Sequence, residues 1–295
     1  MYLDHFQLQE MPFAITPGAA FAFGSRAHQE ALNTLLVAVQ SGEGFVKITG
    51  EVGTGKTILC RRFLDILHRK GVVTAYVPNP AMQPRTLLQS LAAELGMNER
   101  ADVDEFTLMS NINKTLIAVA ERGGTVVVCL DEAQAMPRDT LEAVRLLSNL
   151  ETGRAKLLQL VLFGQPELDD KLAEQSLRQL QQRITFEYAL SAMSLRELDR
   201  YVAHRLNIAG YAGADLFSAQ AIHRLHQASH GVPRLVNVLC HKALMSVFGE
   251  GGQVVCDRHI RAAASDTASA YLPGYLPLWL TQPRLYASST LSWGR

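Results

Sequence analysis

The stretch "GEVGTGKT", residues 50–57, decides the fold. It fits the pattern G-x-x-x-x-G-K-[S/T] and lies between an apolar run, "FVKIT" (45–49), and a run with helical periodicity. In such a loop the glycines let backbone N–H groups turn inward around a phosphate, and the helix that follows directs its positive end at the same anion. A match placed between a strand and a helix predicts a phosphate-binding loop, where the alternative is merely a tight turn.

Each position of this loop has a predicted role. The residues predicted to bind the nucleotide phosphates are Gly50, Glu51, Val52, Gly53, Thr54, Gly55, Lys56 and Thr57. Lys56 supplies a positive charge for the β- and γ-phosphates and takes part in catalysis, and the Thr57 hydroxyl is a ligand for Mg²⁺.

The run "VVVCLDEAQ" (126–134) predicts a buried strand that ends in two acids. At the carboxyl end of a parallel strand, Asp131 and Glu132 face the crevice where open α/β sheets bind ligands. Asp131 is predicted to hold Mg²⁺ through water, and Glu132 to polarise the attacking water as a general base. The alternative is a solvated acidic pair at a strand end, which the phosphate loop upstream makes the weaker interpretation.

Strand and helix patterns alternate as far as Leu190, which predicts an α/β fold with a parallel five-stranded sheet flanked by helices. The predicted strands are 45–49, 72–77, 125–130, 157–163 and 184–190, and the helices between them are about 25–41, 56–69, 85–95, 105–121, 138–150 and 166–174. After Leu190 only helices are expected, about 195–208, 218–229, 233–248 and 257–269, and the capping box "SLRE" (194–197) opens the first.

These patterns divide the chain into three parts. Residues 1–190 form the predicted nucleotide-binding domain, and within it residues 1–25 form an aromatic cap whose phenylalanines (Phe6, Phe13, Phe21 and Phe23) must be buried. Residues 191–270 form a small helical lid. Residues 271–295 are rich in proline and aromatic residues, and we expect an arm that either docks on a partner or packs back on the lid.

Composition excludes several classes of protein. Lys and Arg together number 28, as do Asp and Glu, so no global basic field draws in nucleic acid. Cys60, Cys129, Cys240 and Cys256 form no C-x-x-C pair, which favours reduced thiols over zinc ligands or disulfides. No run of about 18 apolar residues and no secretory signal pattern is present, so we expect a cytoplasmic protein without a membrane span.

Four further polar residues follow elements of the predicted sheet and lid. Gln165 follows the strand "LLQLVLF" (157–163), where it would orient the lytic water. Arg234, near the start of a lid helix, either reaches the γ-phosphate or is an ordinary surface arginine. Arg178 and Arg183 precede the last strand, where an arginine either stabilises charge on a neighbouring subunit's nucleotide or lies on a solvated helix face.

Together these pieces resemble an AAA+ ATPase, and a set of longer stretches resembles the general secretion pathway protein A group in particular. These stretches include "FQLQEMPFAITP" (6–17), "LDEAQAMP" (130–137), "LQLVLFGQPEL" (158–168) and "GVPRLVNVLCHKAL" (231–244). The resemblance covers about residues 1–270. The sequence shows neither the membrane span nor the peptidoglycan-binding region of the longer secretion ATPases, so we expect a chain of the group's shorter MSHA pilus biogenesis (MshM) type.

The resemblance implies roles for these residues. Gly50 to Thr57 would be Walker A, Asp131 and Glu132 Walker B, Gln165 sensor 1 and Arg234 sensor 2, which would also contact the nucleotide. Arg183 is the first choice for an arginine finger and Arg178 the second. Gln165 departs from the Asn, Ser or Thr more common across AAA+ proteins.

The resemblance also implies a function. We expect a homo-oligomer that hydrolyses ATP with Mg²⁺ to drive or regulate assembly of a type IV-like (MSHA) pilus or a type II secretion apparatus, through assembly proteins at the inner membrane. The adenine preference comes from the family alone. The alternatives are a DNA-associated AAA+ ATPase of the transposition-accessory kind, although nucleic acid is not expected as a partner, and a scaffold that binds ATP without cleaving it.

Overall fold

The computed structural model describes residues 2–14, 21, 23–98, 102–151 and 156–271. Five parallel strands form one sheet in the order β2-β3-β4-β1-β5, as predicted for an α/β fold. The strands are β1 (Phe45–Gly50), β2 (Val73–Val77), β3 (Val126–Leu130), β4 (Leu158–Gly164) and β5 (Phe186–Leu190). Strands β1, β3 and β4 are buried along their whole length because helices cover both faces of the sheet.

Helices occupy most of the remaining described chain. Before and within the sheet they are α1 (Tyr2–His5), α2 (Arg26–Gln40), α3 (Lys56–Arg69), α4 (Pro84–Glu94), α5 (Glu105–Glu121), α6 (Arg138–Leu147), α7 (Glu167–Leu172) and α8 (Arg178–Gln181). After the sheet they are α9 (Leu195–Ile208), α10 (Ala219–Ser229), α11 (Pro233–Gly249) and α12 (Asp257–Ser265). The four-residue helices α1 and α8 were not predicted, and α12 ends four residues before its predicted end because Ser265 precedes a turn.

The strand order brings three motif-bearing strand ends together. Strand β4 lies between β1 and β3, so the carboxyl ends of all three are neighbours at one edge of the sheet. The chain leaves β1 for β2 at the far side of the sheet, which makes the β1 end a topological switch point where such sheets bind ligands. Gly50, Asp131 and Gln165 therefore lie at the same edge, although they are far apart in sequence.

The helices after the sheet share a core with the N-terminal segment. Tyr2, Phe6, Phe13 and Phe21 are buried in the same cluster as the apolar faces of α9, α10, α11 and α12. Arg205 on α9 is fully buried, and its guanidinium donates to the carbonyl oxygens of Pro12 (2.7 Å) and Ala14 (3.1 Å).

The phenylalanines of the predicted cap therefore bury as expected, Phe23 only partly, and they pack on the helical domain rather than on the sheet. The domain limits at 190 and 270 stay predictions. The predicted arm lies outside the described residues from residue 272 onward. No helix among the described residues is long and apolar enough to cross a membrane.

Candidate active site

The loop between β1 and α3 has the backbone geometry of a phosphate cradle. Gly53 and Gly55 adopt positive φ angles of 85° and 98°, a region that favours glycine over other residues. Gly55 is the N-cap of α3 and contributes no side-chain cap, which leaves the first N–H groups of the helix free for an anion. The Thr54 hydroxyl closes the loop from inside by donating to the Glu51 carbonyl at 2.8 Å.

The start of helix α11 and helix α2 lie close against this loop. A Cβ atom at Gly53 would lie 2.6 Å from the Cβ of Arg234, at the start of α11, and the Arg234 N–H donates to the Gly53 carbonyl at 3.2 Å. A Cβ atom at Gly55 would lie 2.7 Å from Nε2 of His28 on α2. The glycines therefore permit both the loop conformation and the close approach of α2 and the helical domain.

Lys56 places its ammonium group inside the loop. The side chain is buried, and Nζ donates to the carbonyl oxygens of Gly50 (2.7 Å) and Glu51 (3.1 Å). Burial lowers the pKa of Lys56 below its usual value, while the nearby carboxylates of Glu132 and Asp131 oppose that shift. The loop thus holds a cationic group beside free backbone donors, which is the chemistry a phosphate requires.

The side chains of Thr57 and Asp131, the two predicted metal ligands, are in contact. The Thr57 hydroxyl donates to Oδ2 of the buried Asp131 at 2.7 Å, and the Tyr76 hydroxyl on β2 donates to the same oxygen at 3.2 Å. The other carboxylate oxygen accepts the backbone N–H of Glu132 at 3.0 Å. A hydroxyl and a carboxylate are hard oxygen donors that suit Mg²⁺, which binds few protein ligands and keeps several waters.

Glu132 is held by two side-chain amides. Its Oε2 accepts from Nε2 of Gln134 at 2.6 Å and from Nε2 of Gln165 at 3.2 Å. Burial raises the pKa of Glu132, but the two hydrogen bonds and the positive charge of Lys56 outweigh it, so the pKa lies below its usual value. The carboxyl group is therefore ionised near neutral pH, as a general base must be.

The structure does not bring Arg178 and Arg183 to this edge. Thr185 donates its N–H to the Phe45 carbonyl, so the chain just before β5 lies at the amino end of the sheet. The Arg183 guanidinium donates to the Ser148 carbonyl at 3.3 Å, and Arg178 is exposed at the start of α8. The span of β1, at about 3.3 Å per residue, separates Arg183 from the cradle of its own chain.

A cavity of about 520 Å³ lies between the start of α2 and the start of α9. It is lined by Phe23, Gly24, Ser25, Arg26, Ser194, Arg196, Glu197 and Arg200. The Arg26 N–H donates to the Glu197 carboxylate at 3.0 Å between α2 and α9. His28, two residues further along α2, contacts the phosphate loop, so the cavity and the cradle share one helix.

Comparison with known proteins agrees with this geometry. Residues 39–172 match the family model of the AAA domain. The chain carries an AAA domain. The match contains the whole cradle, both acids and Gln165, and the surrounding fold is that of an AAA+ P-loop NTPase.

The chain is related to "General secretion pathway protein A" of Aeromonas hydrophila, with 41% identity over 268 residues. That alignment covers 91% of the chain and 49% of the relative, so the chain spans about half the length of this relative. The similarity extends well beyond the AAA domain on both sides.

Solved structures share the fold at low identity. Cdc6p from Pyrobaculum aerophilum superposes with a TM-score of 0.66 at 15% identity, over 91% of this chain and 75% of that one. The Holliday junction branch migration motor RuvB of Thermotoga maritima gives 0.55 at 15% identity, over 82% and 69%. Such identities show the fold alone.

Sequence reasoning missed three residues that contact the site, namely Tyr76, His28 and Gln134. Gln134 was visible in the sequence, since it lies two residues after Glu132 in "LDEAQ". Tyr76 and His28 carry no motif, because strand β2 and helix α2 reach the site only through the tertiary fold. The roles of all predicted site residues, Arg234 included, stay predictions.

Proposed function

We propose that the chain hydrolyses ATP with Mg²⁺. The observation that carries the proposal is that the cradle, the Thr57–Asp131 pair and the amide-held Glu132 converge at one sheet edge. A chain that only bound nucleotide would have no use for an ionised carboxylate beside the cradle. The preference for adenine rests on the relationship to AAA+ proteins.

Each residue has one task in this proposal. Backbone N–H groups of residues 50–57 and the Lys56 ammonium bind the β- and γ-phosphates. Thr57 and Asp131 hold Mg²⁺, which would neutralise charge on the phosphates. Glu132 takes a proton from the attacking water, and Gln165 orients that water through the carboxylate it contacts.

The position of Arg234 suits a contact from the helical domain. Its backbone N–H is bonded to the loop, its side chain is exposed, and within the described residues no carboxylate pairs with it. We propose that its guanidinium binds the γ-phosphate when the helical domain closes on the nucleotide.

We propose that a second copy of the chain completes the site. Arg183 lies at the amino end of the sheet, away from its own cradle, so a homo-oligomer would place Arg183, or as second choice Arg178, beside a neighbour's nucleotide. An arginine supplied by a neighbouring chain stabilises charge on the transferred phosphoryl group.

The cellular role follows from the relative. We propose that the cycle drives or regulates assembly of a type II secretion apparatus or an MSHA-type pilus, with the protein in the cytoplasm and held at the inner membrane by assembly proteins. The support is the 41% identity to general secretion pathway protein A, which extends across both domains.

Phosphate release from the purified chain with ATP and Mg²⁺, measured over a range of protein concentrations, tests the proposal. We expect activity per subunit to rise with concentration and Lys56→Ala to abolish it, because the cradle loses its charge. The matched control is Lys70→Ala, which removes an exposed lysine at the other end of α3 and should leave the rate unchanged. ATP binding without turnover at every concentration would favour a scaffold, and GTP turnover at an equal rate would remove the adenine preference.

A further inference from the structure

The side-chain amide of Gln134 joins the ends of β3 and β4. Its Oε1 accepts the backbone N–H of Gln165 at 3.0 Å, and its Nε2 donates to Oε2 of Glu132 at 2.6 Å. Resting on the proposed function, we infer that Gln134 is a positioning residue that fixes the general base Glu132 relative to Gln165. The sequence motifs that predicted the site do not include this hydrogen-bonded link between the base and the residue that orients the water.

The orientation of the Gln134 amide is determined by its partners. A backbone N–H can only donate, so the Gln134 atom that faces Gln165 must be the carbonyl oxygen. The NH₂ group then faces the Glu132 carboxylate, which can only accept while it is ionised. Rotating the amide by 180° would place two donors together and two acceptors together, so the bridge has one arrangement.

A second contact supports the same segment. Lys171, on the helix that follows Gln165, donates from Nζ to the backbone carbonyls of Gln134 (2.9 Å) and Met136. Gly164 leaves room for this packing, because a Cβ atom there would lie 3.4 Å from Oε1 of Gln134 and 2.6 Å from Leu168. The short 3₁₀ turn Ala133–Ala135 is therefore attached to the end of β4 through both side chain and backbone.

The bridge is needed because regular secondary structure does not hold Glu132. Glu132 has a positive φ of 54°, an unfavourable conformation for a residue with a side chain. Both described hydrogen bonds go to Oε2, and among the described residues none reaches Oε1. Oε1 is thus the oxygen left to accept the proton of the attacking water, and Gln134 makes the shorter of the two bonds that set its direction.

Gln134→Met tests the bridge, since methionine has nearly the same length and can make neither hydrogen bond. Exchange of the Gln165 backbone N–H with solvent deuterium is followed by NMR in the intact chain, because this N–H donates to Gln134 Oε1. We expect the N–H to exchange faster in the variant, because its acceptor is lost. For turnover we expect kcat to fall about 10-fold with KM for ATP nearly unchanged, because Glu132 is no longer fixed relative to Gln165.

The matched control is Gln159→Met. Gln159 is also a glutamine at the sheet, buried on β4, and its Nε2 donates to the Val39 carbonyl at 3.2 Å, away from the acids. This variant should change stability but neither the exchange of the Gln165 N–H nor kcat. Gln134→Glu keeps an acceptor for the Gln165 N–H and replaces the donor to Glu132 by a second carboxylate, so the N–H should stay protected while kcat falls, and this variant decides the matter if Gln134→Met does not fold.

The outcomes separate this inference from the proposed function. Unchanged exchange of the Gln165 N–H in Gln134→Met overturns the bridge, whatever the rate of turnover. Faster exchange of that N–H in a chain whose wild type releases no phosphate leaves the bridge standing and removes the proposed hydrolysis.

Discussion

The polar and charged side chains at the two ends of the sheet differ in their hydrogen-bond partners within the chain. At the carboxyl end, Thr57, Asp131 and Glu132 each have a described side-chain partner in the same cluster. At the amino end, the Arg183 guanidinium is bonded only to a carbonyl among the described residues, and Arg178 has no described side-chain bond.

Two arginines of α6 do pair with carboxylates. Arg138 pairs with Glu174 at 2.6 Å and Arg145 with Glu142 at 2.6 Å. The Glu151 carboxylate is bonded to Lys156 at 2.7 Å, which is the main cause of its lowered pKa, and the charge of Arg183 contributes a smaller part. The predicted catalytic residues at the carboxyl end are thus bonded within the chain, whereas Arg183 has no carboxylate partner among the described residues.

Arg183→Ala, at the amino end, should reduce phosphate release most strongly. Because the neighbour's phosphate loses its counter-charge, we expect phosphate release to fall about 10³-fold or more while ATP binding persists. Mixing Arg183→Ala with Glu132→Gln subunits should restore part of the activity, because mixed pairs place an intact Arg183 beside an intact Glu132. Phosphate release from each variant and from the mixture is the measurement.

Two further variants decide which arginine acts. Arg138→Ala, the paired arginine, should have little effect on turnover. If Arg178→Ala abolishes turnover and Arg183→Ala does not, the second choice is correct. A mixture that stays inactive would show that neither arginine crosses the interface.

Glu132→Gln tests the proposed general base at the carboxyl end of the sheet. We expect kcat to fall about 10²- to 10⁴-fold, since the amide cannot accept the water's proton, with ATP affinity retained because the cradle is intact. Single-turnover phosphate release and nucleotide binding by fluorescence measure the two effects. Glu167→Gln, an exposed carboxylate at the start of α7, is the matched control, and turnover that survives in Glu132→Gln would refute the assignment of the base.

The sequence predicted what depends on local pattern. Five strands, the cradle and the two acids were found because each lies within one short stretch of characteristic residues, and the switch point follows once those strands pair in parallel. The ends of α6 and α12 were placed too late, because apolar periodicity continues after the helical backbone stops.

What the sequence did not predict arises from contacts between distant segments. The aromatic residues of the N-terminal segment had to be buried, but only the fold shows Arg205 of the helical domain bonded to the carbonyls of Pro12 and Ala14. Gln134 had no predicted role, and only the fold places its amide between Glu132 and Gln165. The hydrogen-bond partner of such a polar side chain can be identified only once the strand order is known.

Tyr76→Phe should have the smallest effect on phosphate release, because it removes one of several hydrogen bonds to Asp131 at the carboxyl end of the sheet. The Tyr76 hydroxyl helps orient Asp131, but Thr57 still donates to the same oxygen and the Glu132 N–H to the other. Loss of such a supporting bond typically weakens metal affinity about 10-fold. We therefore expect the Mg²⁺ concentration for half-maximal phosphate release to rise by about that factor while kcat at saturating Mg²⁺ changes little.

The control for this prediction is Tyr188→Phe on the edge strand β5. It removes a hydroxyl that donates to Glu30 on α2 at 2.8 Å. It should leave the Mg²⁺ dependence unchanged. A loss of kcat in Tyr76→Phe as large as that of Glu132→Gln would show that the hydroxyl acts on the reacting groups directly. An unchanged Mg²⁺ dependence would instead show that Thr57 alone orients Asp131, and that the carboxyl end is held by fewer bonds than the structure displays.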